Sequence, residues 1–298
     1  MNRQPRAIPQ FKSEAEEREF WQTQTPDIVV SLVPNFNRAM HQAWRQTRPT
    51  APYVTILTDL ADYPPHFWLE QQEQFVVCGT DRAVGQALAL GHARERVFRV
   101  SGMILRPEFH HPRTVDRASE RLRLGLEPHL ATGLVLFGGQ GSPAMTGIAR
   151  HVARCRRPVQ LVFLCGRNEP LRDRLRRLEL PYPHVVEGFT ASVPFFMQLS
   201  DFAIGKPGPG SLSEAVASQL PVIVERNVWT MPQERYNAEW LRQNGLGLVV
   251  PSFRQLAPAI DQLVDPDVLA GYRRRAASLP NRAVYEVADI LAGLLRTP

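Results

Sequence analysis

The chain is predicted to be an α/β protein made of two Rossmann-like, doubly wound parallel-sheet domains facing a cleft. Three observations predict this. Short apolar runs alternate with helical patterns nearly throughout, the mark of βαβ units whose strands are buried on both faces. An aperiodic, proline-containing segment, Gly102–Arg113 (GMILRPEFHHPR), divides the alternation into two series. Two glycine-rich loops each follow a strand and open a helix, the place where such folds hold phosphate.

In the first series the expected strands are Ile28–Val33, Tyr53–Leu57, Phe75–Cys78 and Val97–Ser101, with helices at Asn37–Gln46 and Asp81–Leu90. The second series has Leu134–Phe137, Gln160–Leu164, His184–Glu187, Phe202–Ile204, Pro221–Glu225 and Leu248–Val250. Six strands make a full doubly wound set; four do not. The chain opens with a polar stretch, Asn2–Gln24, where a strand and a phosphate loop would be usual. By this count about two βα units, at roughly 30 residues each, are absent from the front. The first domain is therefore read as abbreviated, or as starting downstream of the usual point. The expected division is residues 1–106, then 107–282, with a C-terminal helix over 283–298 packing back on the first domain.

Composition narrows the class. The 298 residues carry 35 Lys+Arg against 29 Asp+Glu, a net charge of +6, with 44% hydrophobic and 21% charged residues. That excludes disorder, collagen and a disulfide scaffold. No uncharged run approaches the ~18 residues of a transmembrane span, and Met1–Phe11 has no apolar signal core. Cys78, Cys155 and Cys165 are scattered with no CxxC, which suits a reducing cytoplasm. Lysine occurs only at Lys12 and Lys206, so the basic residues are nearly all Arg. Clusters at Arg154–Arg157, Arg172–Arg177 and Arg273–Arg275 are read as solvated helix faces, with a weak attraction to anionic surfaces. Nucleic acid is not expected, because no aromatic-interleaved basic strand or zinc-finger spacing accompanies the charge.

Three segments carry chemistry. Gly138-Gly139-Gln140-Gly141-Ser142 follows the strand Leu134–Phe137 and precedes a helix starting near Pro143. Its glycines let the backbone approach a ligand, and the helix start offers unpaired N–H groups to phosphate. A tight turn without ligand is the alternative. Gly139-x-Gly141-x-x-Ala144 also fits a dinucleotide fingerprint, but the next strand ends in Cys165-Gly166-Arg167 without the ribose-binding acid; Arg167 suits a 2′-phosphate, so an NADP reading stays open. The second segment is Gly205-Lys206-Pro207-Gly208-Pro209-Gly210-Ser211, before a helix expected at Leu212–Ser218. It is not a Walker A loop. Glu214, expected in that helix's first turn, either holds a ribose diol or complements the helix dipole. The third is Pro232–Asn237, whose Gln233, Glu234 and Asn237 suit sugar hydroxyls, which need donors and acceptors together, or simply form a polar helix start.

Together these segments resemble the donor half of a GT-B glycosyltransferase of family 28, and most of all the monogalactosyldiacylglycerol synthases. The stretches CGRNEPLRDRL, VVEGF, GKPGPGSLSEAVASQLPVIV and PQERYNAEWL carry the resemblance, with VTILTDLADYPPHFW, GMILRPEF and LPNRAVYEVADIL extending it over most of residues 26–293. It implies a UDP-sugar donor and a lipid acceptor such as diacylglycerol, with inversion at the sugar. It also implies that Gly139, Gln140, Gly141 and Ser142 line the diphosphate, that the Gly188-Phe189 turn meets uracil and that Glu214 binds ribose. Lys206 with Gly208, Pro209, Gly210 and Ser211 would neutralise the leaving group, and Gln233, Glu234 and Asn237 would hold the sugar.

Charge developing on departing UDP can be met by two helix N-termini and Lys206, so no cofactor and no metal are expected. The one D-x-D, Asp265-Pro266-Asp267, is read as a helix cap, and His110-His111 lack ligand spacing. The general base is harder to assign. The resembling family opens with a Gly-rich, His-containing catalytic loop that this sequence lacks, which leaves Asp59 and His66 as candidates. The alternatives are that the chain binds nucleotide-sugar without transferring it, or needs a partner chain to supply that segment; an epimerase on the same fold is a further one. Tyr63–Trp68 (YPPHFW) is read as a loop that dips into a membrane interface or makes an ordinary apolar contact. The expected location is cytoplasmic, peripheral on the inner membrane face.

Overall fold

A computed structural model describes residues 14–24, 26–111 and 114–296. The opening stretch through residue 13, with Lys12 and the region read for a signal, lies outside the described residues, as does the end of the Gly102–Arg113 linker. The first series forms α1 (Glu14–Thr23), β1 (Val29–Ser31), α2 (Asn37–Thr47), β2 (Tyr53–Ile56), β3 (Phe75–Cys78), α3 (Asp81–Ala89) and β4 (Val97–Arg99). The second forms α4 (Arg117–Arg123), β5 (Ala131–Leu136), α5 (Ala144–Val152), β6 (Val159–Leu164), α6 (Glu169–Arg176), β7 (His184–Glu187) and α7 (Val193–Leu199). It continues through β8 (Phe202–Gly205), α8 (Pro209–Ala217), β9 (Val222–Glu225), α9 (Pro232–Gln243), β10 (Gly247–Val250), α10 (Leu256–Leu263), α11 (Pro266–Ala277) and α12 (Ala283–Arg296). Side-chain caps start several of these helices at sequence-readable points: Thr80 for α3, Asp116 for α4, Asn168 for α6 and Asp265 for α11. Each such cap is worth about 1 kcal/mol.

The two sheets are wholly parallel. The first runs β1-β2-β3-β4, in sequence order. The second runs β10-β9-β8-β5-β6-β7, so the winding reverses between β5 and β8. That reversal opens a crevice beyond the carboxyl ends of those two strands. Alternate residues feed opposite cores: Val135, Leu161, Phe163 and Ile204 face one side, Leu134, Val162, Leu164 and Ala203 the other. Burial on both faces explains why the strands read as unbroken apolar runs. In the first sheet Val54, Ile56 and Val77 pack with Ala283 and Val287 of α12, while Leu57, Val76 and Cys78 pack with Ala83 and Ala87 of α3.

Two readings need correction, and the opening stretch gains an element. The opening polar stretch contains α1, which is tied down by Trp21, 3% exposed and edge-on to Trp44, with Phe20 packed beside it; two adjacent aromatics give no helical periodicity to be seen in sequence. Helix α8 begins at Pro209 instead of Leu212, because proline at the first helical position needs no N–H acceptor. Glu214 therefore sits in its second turn. Arg154–Arg157 are not on a helix: α5 ends at Val152, and the backbone N–H groups of Arg156 and Arg157 bind the Asp261 carboxylate.

Candidate functional site

The crevice between β5 and β8 is walled by both glycine loops. Gly138–Ser142 leaves β5 with Gly138 and Gly141 at positive φ, 73° and 60°, a conformation that other residues enter at a cost. It is braced by the turn after β6. Arg167 N donates to Gly139 O at 2.9 Å, and Asn168 Nδ2 to Gln140 O at 3.2 Å. The two backbones are so close that a Cβ at Gly166, φ 59°, would lie 2.2 Å from Gly139 O. Gly138, Gly139 and Gln140 remain exposed at the tip. Arg167 folds over Phe189, with its guanidinium carbon 4.8 Å from the ring centroid. The Phe189 side chain is nevertheless 61% exposed, an aromatic surface suited to a flat heterocycle.

Across the crevice, Gly210 and Ser211 follow Pro209 in the first turn of α8, and their N–H groups precede any intrahelical acceptor. Lys206 lies just before them and forms a 2.6 Å ion pair between its Nζ and Glu234 Oε1. Glu234 is 5% exposed and projects from the first turn of α9. Asn237, one turn on, donates Nδ2 to Pro207 O at 2.9 Å. Its Oδ1 is buried without a hydrogen-bond partner. Glu234 and Asn237 therefore clamp the Lys206–Gly208 loop from beneath, one at the lysine and one at the backbone. Gln233 is half-buried at the start of α9 and reaches Met231 Sδ at 3.6 Å. Glu214 is half-buried on α8; burial pushes its carboxyl above the ordinary range, against the opposing field of Arg106.

The first domain brings one carboxylate to this site. Asp59, in the loop after β2 and 9% exposed, accepts a 2.8 Å bond at Oδ2 from Trp68 Nε1. Burial raises its pKa; the Trp68 bond opposes this, Glu234 adds to it, and Lys206 partly offsets it. Asp59 is thus near enough to Glu234 and Lys206 of the second domain for their charges to act on it. Trp68 is itself held by Asn37, which donates to Trp68 O at 3.1 Å and Val33 O at 3.0 Å. His66 is not brought into the group: it is exposed at φ 66°, with Nδ1 turned to Glu70 Oε2 at 3.9 Å. Tyr63, in the same loop, instead touches Tyr236 of α9, ring centroids 5.8 Å apart. Trp68, Arg106, Asn168 and Tyr236 are thus site residues that the sequence reading quoted without assigning. Only their partners, all distant in sequence, could have marked them.

No family model matches the chain. Among solved structures it superposes on MurG of Acinetobacter baumannii with TM-score 0.70 at 13% identity, covering 95% of this chain and 78% of that one. Staphylococcus aureus MnaA, solved with UDP, gives 0.66 at 16% identity over 94% and 78%. Anabaena HepE, solved with UDP-glucose, gives 0.60 at 16% over 94% and 82%. With two parallel-sheet domains and a crevice at the winding reversal, the chain is a GT-B protein. In sequence it is similar to the monogalactosyldiacylglycerol synthases. It is 31% identical over 285 residues to a probable monogalactosyldiacylglycerol synthase 2 of Oryza sativa subsp. japonica, covering 92% of this chain and 60% of the relative. It is 28% identical over 251 residues to the synthase of Spinacia oleracea, covering 81% and 48%. The chain thus spans about half to three fifths of the length of these relatives, and the likeness to them extends well beyond the motifs.

Proposed function

We propose that the chain transfers a hexosyl group from a UDP-sugar to the hydroxyl of a lipid such as diacylglycerol, with inversion. The observation that carries this reading is Lys206, held by Glu234 within the second of the two glycine loops that wall the crevice at the winding reversal, with the buried Asp59 carboxylate within range of its charge. The diphosphate lies against Gly139–Ser142 and the start of α8, and uracil stacks near Phe189 and Arg167. Glu214 takes the ribose hydroxyls, while Gln233 and Glu234, with Asn237 beneath, border the sugar. Glu234 holds Lys206 by its Oε1 and leaves its other oxygen to accept from a sugar hydroxyl.

In the reaction the acceptor oxygen attacks the anomeric carbon on the face opposite UDP. The bond from that carbon to the phosphate oxygen breaks, and its electron pair leaves with UDP. Lys206 and the N–H groups of Gly210 and Ser211 stabilise the charge that develops; one such preorganised donor is commonly worth about 2.7–4 kcal/mol. The reading needs no metal ion. Asp59 receives the hydroxyl proton. Its raised pKa moves it towards the range where a base operates well, and Trp68 keeps it oriented.

Thermal unfolding with UDP, UDP-galactose, UDP-glucose, UDP-N-acetylglucosamine and NADPH in parallel tests the donor site. A ligand at a hundred times its Kd adds about 2.7 kcal/mol. Stabilisation by UDP, followed by label transfer from a UDP-hexose to diacylglycerol, is the expected result. Stabilisation by NADPH alone would overturn it. UDP binding without transfer, even after addition of a complementing chain, would leave a nucleotide-sugar-binding protein.

A further inference from the structure

We infer that the loop between β9 and α9 is a membrane-docking tip, inserted into the headgroup region of an anionic bilayer by Val228 and Trp229. These are the most exposed large apolar side chains among the described residues, Val228 at 79% and Trp229 at 88%, and Met231 follows them at 42%. Their exposure is built into the loop. Asn227 Oδ1 accepts from Trp229 N at 2.9 Å, and Thr230 Oγ1 accepts from Asn227 N at 2.9 Å. Arg235 clips the loop from below, donating to Thr230 O and Val228 O, each at 3.0 Å. With the polar backbone satisfied inward, the two apolar side chains are held outward at little further entropic cost.

The occupant follows from size and charge. Two side chains on a narrow tip present far less than the roughly 800 Å² per partner of a stable protein interface. Tryptophan beside aliphatic groups at the edge of a polar surface is what a membrane interface favours. Arg226 and Arg235 flank the tip and are exposed; Glu234 is buried against Lys206, and Glu239, 3.8 Å from Arg226, is shared with Arg242 at 2.5 Å, so positive charge is in excess. The exposed charge is therefore cationic and suits anionic headgroups. Because the loop follows β9, it lies at the carboxyl end of the sheet, the end that carries the glycine loops. The Tyr63–Tyr236 contact joins it to Pro64 and Pro65 of the first domain, which are exposed. A 2.7 Å bond from Asn35 N to Phe67 O joins those in turn to exposed Leu32, Val33 and Phe36. Seating the tip would turn the cleft mouth towards the bilayer, which gains its purpose from the lipid-acceptor reading but is tested apart from it.

The full chain is sedimented with vesicles of phosphatidylcholine, alone and with phosphatidylserine, and its fluorescence is read with brominated acyl chains present. Wild type is expected to bind the anionic vesicles, less so as salt rises, with quenching of its most exposed tryptophan. V228S/W229S should lose roughly tenfold to a hundredfold in partitioning and lose the quenching. L122S, which alters an exposed apolar residue on α4 away from the tip, should behave as wild type. Absence of binding by wild type, or equal binding by V228S/W229S, would overturn the proposal. UDP affinity is measured on the same samples and should not change in V228S/W229S. Loss of UDP binding by wild type would count against the donor site alone, whatever the vesicles show.

Discussion

Asp59 and Lys206 divide the proposed chemistry between the two domains, and each has its own signature. Asp59→Asn should lower kcat by about 10²–10⁴-fold, the usual worth of a positioned base, with UDP affinity unchanged; steady-state kinetics beside a UDP titration checks both. Since burial raises the Asp59 pKa, the carboxylate takes up its proton, and activity falls, at a pH above the ordinary carboxylate range as pH is lowered. Stability moves in the opposite sense. A carboxyl whose folded pKa is raised favours the fold below its unfolded pKa, and that contribution is lost as pH rises through the folded value. Asp59→Asn should therefore unfold at a higher temperature than wild type at neutral pH. Lys206→Met should weaken UDP binding and reduce kcat by roughly 10²–10³-fold. It also strands the buried Glu234 carboxylate, so its thermal stability is measured alongside.

At the scale of elements, the two βα turns behave as one rigid unit. Gly166→Ala would place a methyl 2.2 Å from Gly139 O, at a φ of 59°. Backbone cannot yield there as a flexible side chain could. The conformational strain alone is about 1–2 kcal/mol, and the displaced Gly139–Ser142 loop should lose UDP affinity as well. A melting curve and a UDP titration on the same variant test this, and unchanged affinity would detach the Cys165–Asn168 turn from the site. Away from the crevice, Asp201 at the start of β8 gathers Arg117, Arg121 and Arg273, at 2.6, 2.8 and 2.8 Å. Burial alone would raise its pKa, but Arg117, the Thr132 N–H and Arg121 outweigh this and hold it low. It stabilises the fold above the unfolded carboxylate pKa and ceases to do so as pH falls through its lowered folded value. Asp201→Asn leaves Arg121, 4% exposed, without its counter-charge and should cost about 3–5 kcal/mol, read by denaturant unfolding.

Over the whole molecule, the C-terminal segment returns to the first sheet and helps tie the two halves together. Glu286 Oε2 accepts from Ser101 N at 2.6 Å, and Asn281 Nδ2 donates to Met103 O at 2.8 Å. Helix α12 covers the face of β2 and β3 that carries Val54, Ile56 and Val77. Removing residues 283–298 should expose that face. The first domain would then exchange its amide hydrogens and be cleaved by protease well before the second, a difference that hydrogen-exchange mass spectrometry resolves. Equal protection in both domains would show that α12 is dispensable.

The sequence alone determined the sheet strands and their parallel sense, because strands buried on both faces must be short continuous apolar runs separated by helices. His184–Glu187 and Phe75–Cys78 have the same limits in sequence and structure. The glycine loops were legible for a related reason: glycine runs that end an apolar strand and start a helix have few other uses. The start of α8 was misread because Pro209, Gly210 and Ser211 look like loop residues one by one, though they suit a helix's first turn together. The tertiary structure decided what depends on approach between distant segments. It brought Asp59 within range of the charges on Lys206 and Glu234, left His66 exposed, and placed Arg167 on Phe189. Such convergence leaves no local trace, because a side chain's burial and charge partners arise only when separate βα units and separate domains meet.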